Sequence, residues 1–434
     1  MSVLNNNPLK RMFMFLSVAT LVLVASRQAV SEPIFPPPPP PPLVVGTCLG
    51  ASPYATIQSA VTAAPSGGTV LVCPGTYPEQ VTITQPLTLK GIQVGNNDAA
   101  VVTSPAGGVV INTTNFTHGW PAAGQVLVQN TTAVNISNLT VDGSGNELPT
   151  CTPVLTTYLI GIYYQNASGT VNSVATRNQI TNGCWGIGIY VETEGSATAN
   201  FEIFNASVHS YSSVGIVTNQ PGTTASIVGN SVVGLGPTSP IYQYGIQVGF
   251  GAKGDVEGNT VIDHFGPSGG FGIVIFYSSG AKVANNTVGN STYGIGTESE
   301  PGAPADHTTI VGNTILATHN EGYTSDVGDA IDACSNSNLI IGNTIYASDE
   351  SGIHLDSTCG SSGNNNVVKQ NMLNEACAGI LEDPVTTGNL VTPGNLFFND
   401  VSTILSAYGC YPGVFPDPPA VGGGAPVHSQ LQPY

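Results

Sequence analysis

The chain has 434 residues, only 8% of them charged, with 8 Lys plus Arg against 26 Asp plus Glu and a net charge of −18. That balance excludes a nucleic-acid binder, which needs cations to displace counterions from phosphates, and a helical bundle or coiled coil, which needs Glu, Lys, Arg and Leu in quantity. With 41% apolar residues, 53 Gly and 32 Pro, charge-driven disorder is excluded as well, and β-structure with many turns remains.

At the start of the chain, Lys10 and Arg11 precede an apolar run from Met12 to Ala25. This is the pattern of an export signal and is short for a membrane span. Residues 1–31 are therefore read as a signal peptide, with no other membrane contact, cleaved after Ser26 or Ser31. Loss of Lys10, Arg11 and Arg27 takes the net charge from −18 to −21 and leaves one arginine, Arg177, and four lysines. Residues 32–47 form a linker stiffened into polyproline II by Pro36 to Pro42. The folded domain is expected over 48–404, followed by a loose Pro- and Gly-rich tail over 405–434.

Export implies an oxidising compartment, outside the cell or in the periplasm or envelope, and the eight cysteines are an even number. Their grouping along the chain predicts Cys48–Cys73, Cys151–Cys184, Cys334–Cys359 and Cys377–Cys410. No CxxC or Cys/His spacing points to zinc, so no metal site is expected.

Within the domain, Tyr54 to Ala64 places Ile57, Ala60, Val61 and Ala64 on one helical face, and Pro65 to Gly68 ends that helix. Short strands follow from Thr69, Gln80 and Leu87. A segment centred on Gly-Ile then recurs, as YLIGIYY, WGIGIYV, SVGIVTN, QYGIQVG, GFGIVIF, TYGIGTE, GDAIDAC, ESGIHLD and CAGILED. Its anchors are Gly161, Gly188, Gly215, Gly245, Gly272, Gly294, Ala330, Gly352 and Gly379. Between the copies lies a second element, as in VEGNTVI and IVGNTIL, with Asn230, Asn259, Asn286, Asn313 and Asn343 in register and weaker copies at Asn178, Asn205, Asn371 and Asn395. Both elements alternate with period two and share a spacing of roughly 27 residues, the signature of one coil of a solenoid. Coils stack about 4.8 Å apart, so equal positions form ladders, Ile inside and Asn at turns. Stacked like charges repel, which accounts for the low charge content.

The run ATIQSAVTAAPSGGTVLVCPGTYPEQVTITQPLTLKG, residues 55–91, resembles the N-terminal capping segment of the pectin lyase-like superfamily, and the later coils resemble its repeats. The resemblance covers roughly residues 48–400. It implies an all-β fold, a monomeric right-handed parallel β-helix (solenoid) with a short N-terminal capping helix and about a dozen coils. Many activities use this scaffold. The Gln, Asp and Arg signatures of pectin methylesterases are absent. The basic residue that pectate lyases use is not readily supplied, since Lys253 and Lys282 sit beside glycines in turns. A net charge near −21 also repels anionic pectate. Calcium could bridge such repulsion, but no calcium-binding loop motif supports it, and no cofactor is expected.

Candidate chemistry concentrates in HNEGYTSDVGDAIDAC and ASDESGIHLDSTC. Counting from the anchor, positions +1 and +3 point inward and +2 and +4 outward. Asp332, His354, Asp356 and Asp383 then face out, with Asp329, Asp349 and Glu350 at the edge of the face. Carboxylates roughly 5–10 Å apart suit glycosidase acid/base chemistry. The patch resembles polygalacturonase-type glycoside hydrolases, with Asp329 at their first Asp and Asp349 and Glu350 at their paired Asp. The next coil, NEACAGILED, has no histidine where that family has one, and no Arg-x-Lys follows. Tyr163 and Tyr190 share the outward +2 position in adjacent coils, with Tyr164 and Trp185 nearby, and offer either a sugar-stacking surface or a stabilising ladder.

Two functions are consistent with these features. One is an exported protein that binds or cleaves a neutral or weakly charged polysaccharide or cell-surface glycan, with glycosidase-like catalysis by Asp329, Asp349 and Glu350 supported by Asp332, His354 and Asp356. The other is a non-catalytic envelope scaffold or adhesin, in which the acids serve solubility.

Overall fold

The structure, a computed structural model, describes residues 40–410 except 51–52, 94–98, 152–155, 240, 267–268, 320–326, 361 and 408. The signal segment, most of the linker and the tail beyond 410 lie outside the described residues, as do Glu321 and Asp326 of the acidic stretch.

The coils expected from the repeat are present. Each contributes strands to three faces. One is a thirteen-stranded sheet running from Leu43–Val45 through Gly68–Val72 and Lys253–Glu257 to Leu390–Val391. The second carries the strands that follow the GN turns, such as Ser231–Val233 and Thr260–Ile262. The third carries the Gly-Ile strands, from Pro121–Gln129 to Ser402–Ser406. Pairing between coils is parallel throughout these faces; among the described strands only Thr113–Thr114 runs antiparallel to its partner, Pro121–Gln129. The protein is a right-handed parallel β-helix. Its first sheet already begins at Leu43, which pairs with Val70, inside the segment expected to be linker.

The isoleucine ladder lies in the core as expected. Ile162, Ile189, Ile216, Ile246, Ile273, Ile295, Ile331, Ile353 and Ile380 align coil on coil and are fully buried. Each contributes about 1.5–3 kcal/mol of apolar burial. The asparagine ladder is continuous from Asn230 through Asn259, Asn286, Asn313, Asn343 and Asn371 to Asn395. Each side chain accepts from the backbone and side-chain nitrogens of the preceding Asn, as in Asn230 to Asn259 at 2.9 Å for both. Asn178 and Asn205 are outside it, because the ladder begins where Asn230 accepts from Ala206. The left-handed backbone belongs to the residue before each rung, namely Gly229, Gly258, Gly312, Gly342 and Gly394, Asn285 with φ 55° and Gln370 with φ 59°. A second ladder, Asn338–Asn366–Asn389, joins the last coils.

The capping helix spans Ile57–Ala63, shorter than the periodicity suggests, with Thr56 accepting from the Ser59 amide. The Glu79 carboxylate accepts from the Ile57 and Gln58 amides at 2.7 and 2.8 Å, tying the cap to the coil beneath it. All four disulfides pair as the spacing predicts.

Candidate functional site

The site lies on the outside of the Gly-Ile face. Each strand there changes sides at its glycine. The residues before it (Ile160, Ile187, Val214) pack outward with Tyr163, Tyr190 and Val217, whereas positions +1 and +3 join the core. A Cβ on Gly188 or Gly215 would sit 2.5 Å from the Cγ1 of Val208 or Val232 on the neighbouring face. Glycine at these two anchors is thus a close-approach requirement. The change of sides turns two side chains per strand, at −1 and +2, toward one outer groove.

The outer groove is walled by a flap. Residues 113–120 fold back over the coils and are clasped by the +4 column. Gln165 donates to the Thr114 carbonyl at 2.6 Å. The Glu192 carboxylate accepts from the Phe116 and Thr117 amides at 2.7 and 3.0 Å, the Thr117 hydroxyl at 2.7 Å, the Tyr190 hydroxyl at 3.0 Å and the Tyr163 hydroxyl. Five donors satisfy a carboxylate that is fully buried. Tyr163 and Tyr190 do stack, with centroids 5.1 Å apart, but both are buried under this flap rather than exposed. Tyr163 is part of the clasp, and Tyr190 reaches the groove wall.

Beside the flap opens an aromatic cleft of about 260 Å3, lined by His118, Trp120, Tyr158, Trp185, Tyr242, Tyr244, Phe250 and Phe276 among others. His118 stacks on Trp120 at 5.0 Å and accepts or donates a 2.9 Å bond with the Tyr158 hydroxyl. Burial pushes its pKa down, toward the neutral imidazole. Among the described residues, no lysine or arginine lines the cleft. Of the lining rings, the sequence points to Tyr190 and Trp185; Tyr158, Tyr244 and Phe276 come from the Gly-Ile strands, His118 and Trp120 from the flap, and Tyr242 and Phe250 from loops.

The acidic cluster lies farther along the same face, on the coils that follow. Rings continue along the −1 column from Tyr244 to Phe271 to Tyr293, with centroids 5.6 and 4.5 Å apart. Phe276, at the end of the cleft, is the cross-coil partner of Glu298. Glu298 is hydrogen-bonded to Asp332, and its pKa is pushed up to about 7 by burial and by the negative charge of Asp356. Carboxylate oxygens of Asp332 and Asp356 lie within 4.8 Å. Asp332 is raised far above the usual carboxylate range by burial and by Asp356 and Glu298. Asp356 is raised by burial, against the opposing effects of His354 and of Thr358, which donates to it at 2.7 and 2.8 Å. Asp332 Oδ1 is buried with no hydrogen-bond donor.

A second group crosses three coils behind this pair. His354 Nδ1 faces Asp329 at 3.3 Å and its Nε2 faces Asp383 at 3.3 Å, all three side chains being buried. Burial alone would lower the His354 pKa, but the two aspartates and Asp332 raise it well above the ordinary value. Ser351 donates to Asp329 at 2.6 Å, and Ser357 donates twice to Asp383, at 2.7 and 2.8 Å. Burial would raise Asp383, and the His354 and Ser357 hydrogen bonds outweigh it and lower its pKa.

Of the sequence candidates, Asp329, Asp332, His354 and Asp356 therefore come together, joined by Asp383 and Glu298. Glu350 is buried near Tyr293 and accepts from the Cys410 amide at 3.1 Å. Asp349 is half-buried at the bulge between Ser348 and Ser351, where the pairing register shifts. Glu298 was missed, although it stands at anchor +4, the position of Glu192, Asp356 and Asp383.

Three groups of possible metal-binding atoms converge within 4.8 Å among the described residues. Two of them depend on Cys334 or Cys359, whose sulfurs are joined to each other. In the third, Asp356 with His354 and Asp383, both histidine nitrogens already face aspartates. The donor sets thus do not fit a bound metal well.

Residues 237–392 match the family model described as right handed beta helix region. No protein of curated function matches the sequence. Among solved structures, the catalytic domain of Agl-KA aligns at 16% identity and a TM-score of 0.52, over 80% of this chain and 65% of that one. This chain thus spans just under two thirds of that structure. XylC, solved in complex with xylose, aligns at 10% identity and a TM-score of 0.50, over 80% of this chain and 83% of that one. At these identities the likeness is one of fold, and with the stacked parallel strands it identifies the chain as a right-handed parallel β-helix protein.

Proposed function

We propose that the protein is an exported glycan-active β-helix that holds a sugar chain in the aromatic cleft and cleaves it at the carboxyl cluster. The observation that carries this reading is the continuity between the two, with Phe276 and Glu298 paired across adjacent coils. Flat apolar rings stack on sugar faces, and a glycosidase needs one protonated and one ionised carboxyl beside the bond it breaks. Glu298, raised to about 7, holds a proton near neutrality and is the general acid. Asp356, less strongly raised than Asp332, supplies the partner carboxylate. The strongly negative chain excludes polyanionic glycans. XylC is an instance of this scaffold holding a sugar. The four disulfides and the N-terminal signal pattern fit an oxidising, extracytoplasmic location.

The saturated Asp329–His354–Asp383 chain favours a different role for those three residues, pinning successive coils. It also supports the second reading, a glycan-binding envelope protein without catalysis. The test is release of reducing ends from a panel of neutral and amino-sugar polysaccharides by wild type, Glu298→Gln and Trp185→Ala. Hydrolysis lost in Glu298→Gln with binding kept supports the enzyme. Binding without product in wild type leaves the second reading, and no binding by any form overturns both.

A further inference from the structure

The glycan reading leaves an imbalance of charge at the end of the cleft, and this inference rests on that reading. Six acids gather there, Glu298, Asp329, Asp332, Glu350, Asp356 and Asp383, around one histidine whose two nitrogens are both taken by Asp329 and Asp383. Glu298 and Asp332 share one hydrogen bond. The remaining oxygen of Asp332, Oδ1, is buried without a donor, and a buried acceptor left unmatched is costly. Among the described residues, no lysine or arginine lines the cleft wall, and His118 is held toward neutrality.

We propose that the sugar unit bound next to Glu298 carries a free amino group, so that the preferred ligand is a glucosamine-type glycan whose ammonium sits against Asp332 and Glu298. An ammonium offers three donors and a positive charge, which is what this corner lacks. A neutral sugar hydroxyl would satisfy Oδ1 without offsetting the charge. An acetylated nitrogen would offer one donor and no charge, with added bulk. A uronic acid would be repelled by the whole cluster. The ammonium also has a use in the reaction. Once it becomes the counter-charge, Asp332 can ionise and pass the proton of their shared hydrogen bond to Glu298, which then delivers it to the glycosidic oxygen. The cleft delivers the chain to this point, since Gln247 on its floor lies two coils, roughly 10 Å, before the coil of Glu298.

The experiment is calorimetric titration of the full chain with tetramers of glucosamine, N-acetylglucosamine and glucose. The expected result is that the glucosamine tetramer binds at least about tenfold tighter than the other two, the effect of one charge-assisted hydrogen-bond set. In Asp332→Asn, checked for folding by near-ultraviolet circular dichroism, that ratio should fall below about threefold. Should that variant misfold, Glu298→Gln and a salt titration of the wild type report on the same charge pairing, and the ratio should shrink in both. Equal affinity for all three tetramers overturns the amino-sugar proposal and leaves the glycan reading standing. Failure of every tetramer to bind overturns the glycan reading itself. Tight binding of calcium alone that abolishes the preference makes the cluster a metal site and also overturns the proposal.

Discussion

Phe276 and Glu298 occupy the same strand position one coil apart, so the last ring of the cleft is the cross-coil partner of the first carboxyl of the acidic cluster. A solenoid makes such a junction cheaply, because a change of residue type from one coil to the next changes the surface chemistry without disturbing the core beneath. The junction sets the first expectation. Glu298 must be protonated to act as an acid, and its pKa is about 7, so hydrolysis should fall as pH rises through neutrality. Glu298→Gln should lower the rate by roughly 10²–10⁴-fold and remove that limb of the profile. An unchanged profile in the variant would remove Glu298 from the chemistry.

The same residue links pH to stability. Its pKa is raised in the folded protein from 4.5 to about 7, so between those values the folded chain retains a proton that the unfolded chain has lost. Stability contributed by this group is present at low pH and is lost as pH rises through that window. Glu298→Gln should flatten the decline, as read by denaturant midpoints taken below and above it. The raised carboxyls of Asp332 and Asp356 act in the same direction, so the flattening should be partial.

The asparagine ladder makes a position-dependent prediction. Asn259 accepts two bonds from Asn230 and donates to the Ile227 carbonyl and to Asn286, each at 2.9 Å and all buried. Asn259→Ala leaves these groups unmatched and should cost roughly 2–4 kcal/mol in denaturant unfolding. At the end of the ladder, where Asn395 is half-buried and has no later rung among the described residues, Asn395→Ala should cost clearly less. Equal losses at the two sites would mean that the ladder is not what holds the coils.

The core and the ladders were legible in the sequence because a solenoid repeats one position every coil, so Ile162 to Ile380 and Asn230 to Asn343 announce themselves by register. The disulfides were legible because each closes between cysteines already adjacent in the coil spacing. The clasp was not, because the contact between Thr117 and Glu192 spans 75 residues and no periodicity encodes where a flap folds back. Glu298 was overlooked because its coil, TYGIGTE, carries glycine at +2, where Asp332 and His354 drew attention in the next two. Asp349 drew attention by its family-like SDESGI setting, but the bulge at Ser348 to Ser351 breaks the alternation on which any inward or outward assignment rests.

Two glycine classes in the repeat should respond to different degrees. Gly215 has no room for a side chain, since a Cβ would lie 2.5 Å from Val232 and 2.7 Å from the Gly245 carbonyl oxygen. Gly215→Ala should destabilise by about 1–3 kcal/mol through overpacking. Gly258 is needed only for its left-handed turn, with φ of 64° and nothing within 4 Å of its Cβ position. Asn285 already fills the equivalent turn, so Gly258→Asn should be close to neutral in the same unfolding assay.

The clasp of Glu192 predicts an effect on binding by a residue whose carboxylate is wholly buried and occupied. Its carboxylate holds the Phe116 and Thr117 amides, and that turn carries His118 and Trp120, which form one wall of the cleft. Glu192→Ala should free the turn, raise quenching of Trp120 fluorescence by acrylamide, speed hydrogen exchange at the Phe116 and Thr117 amides, and weaken sugar binding by about tenfold or more. Glu192→Gln keeps one acceptor oxygen and should fall between the two. A purely structural role for Glu192 would lower the unfolding midpoint while leaving Trp120 shielded and the affinity intact, because the wall would then keep its place without the clasp.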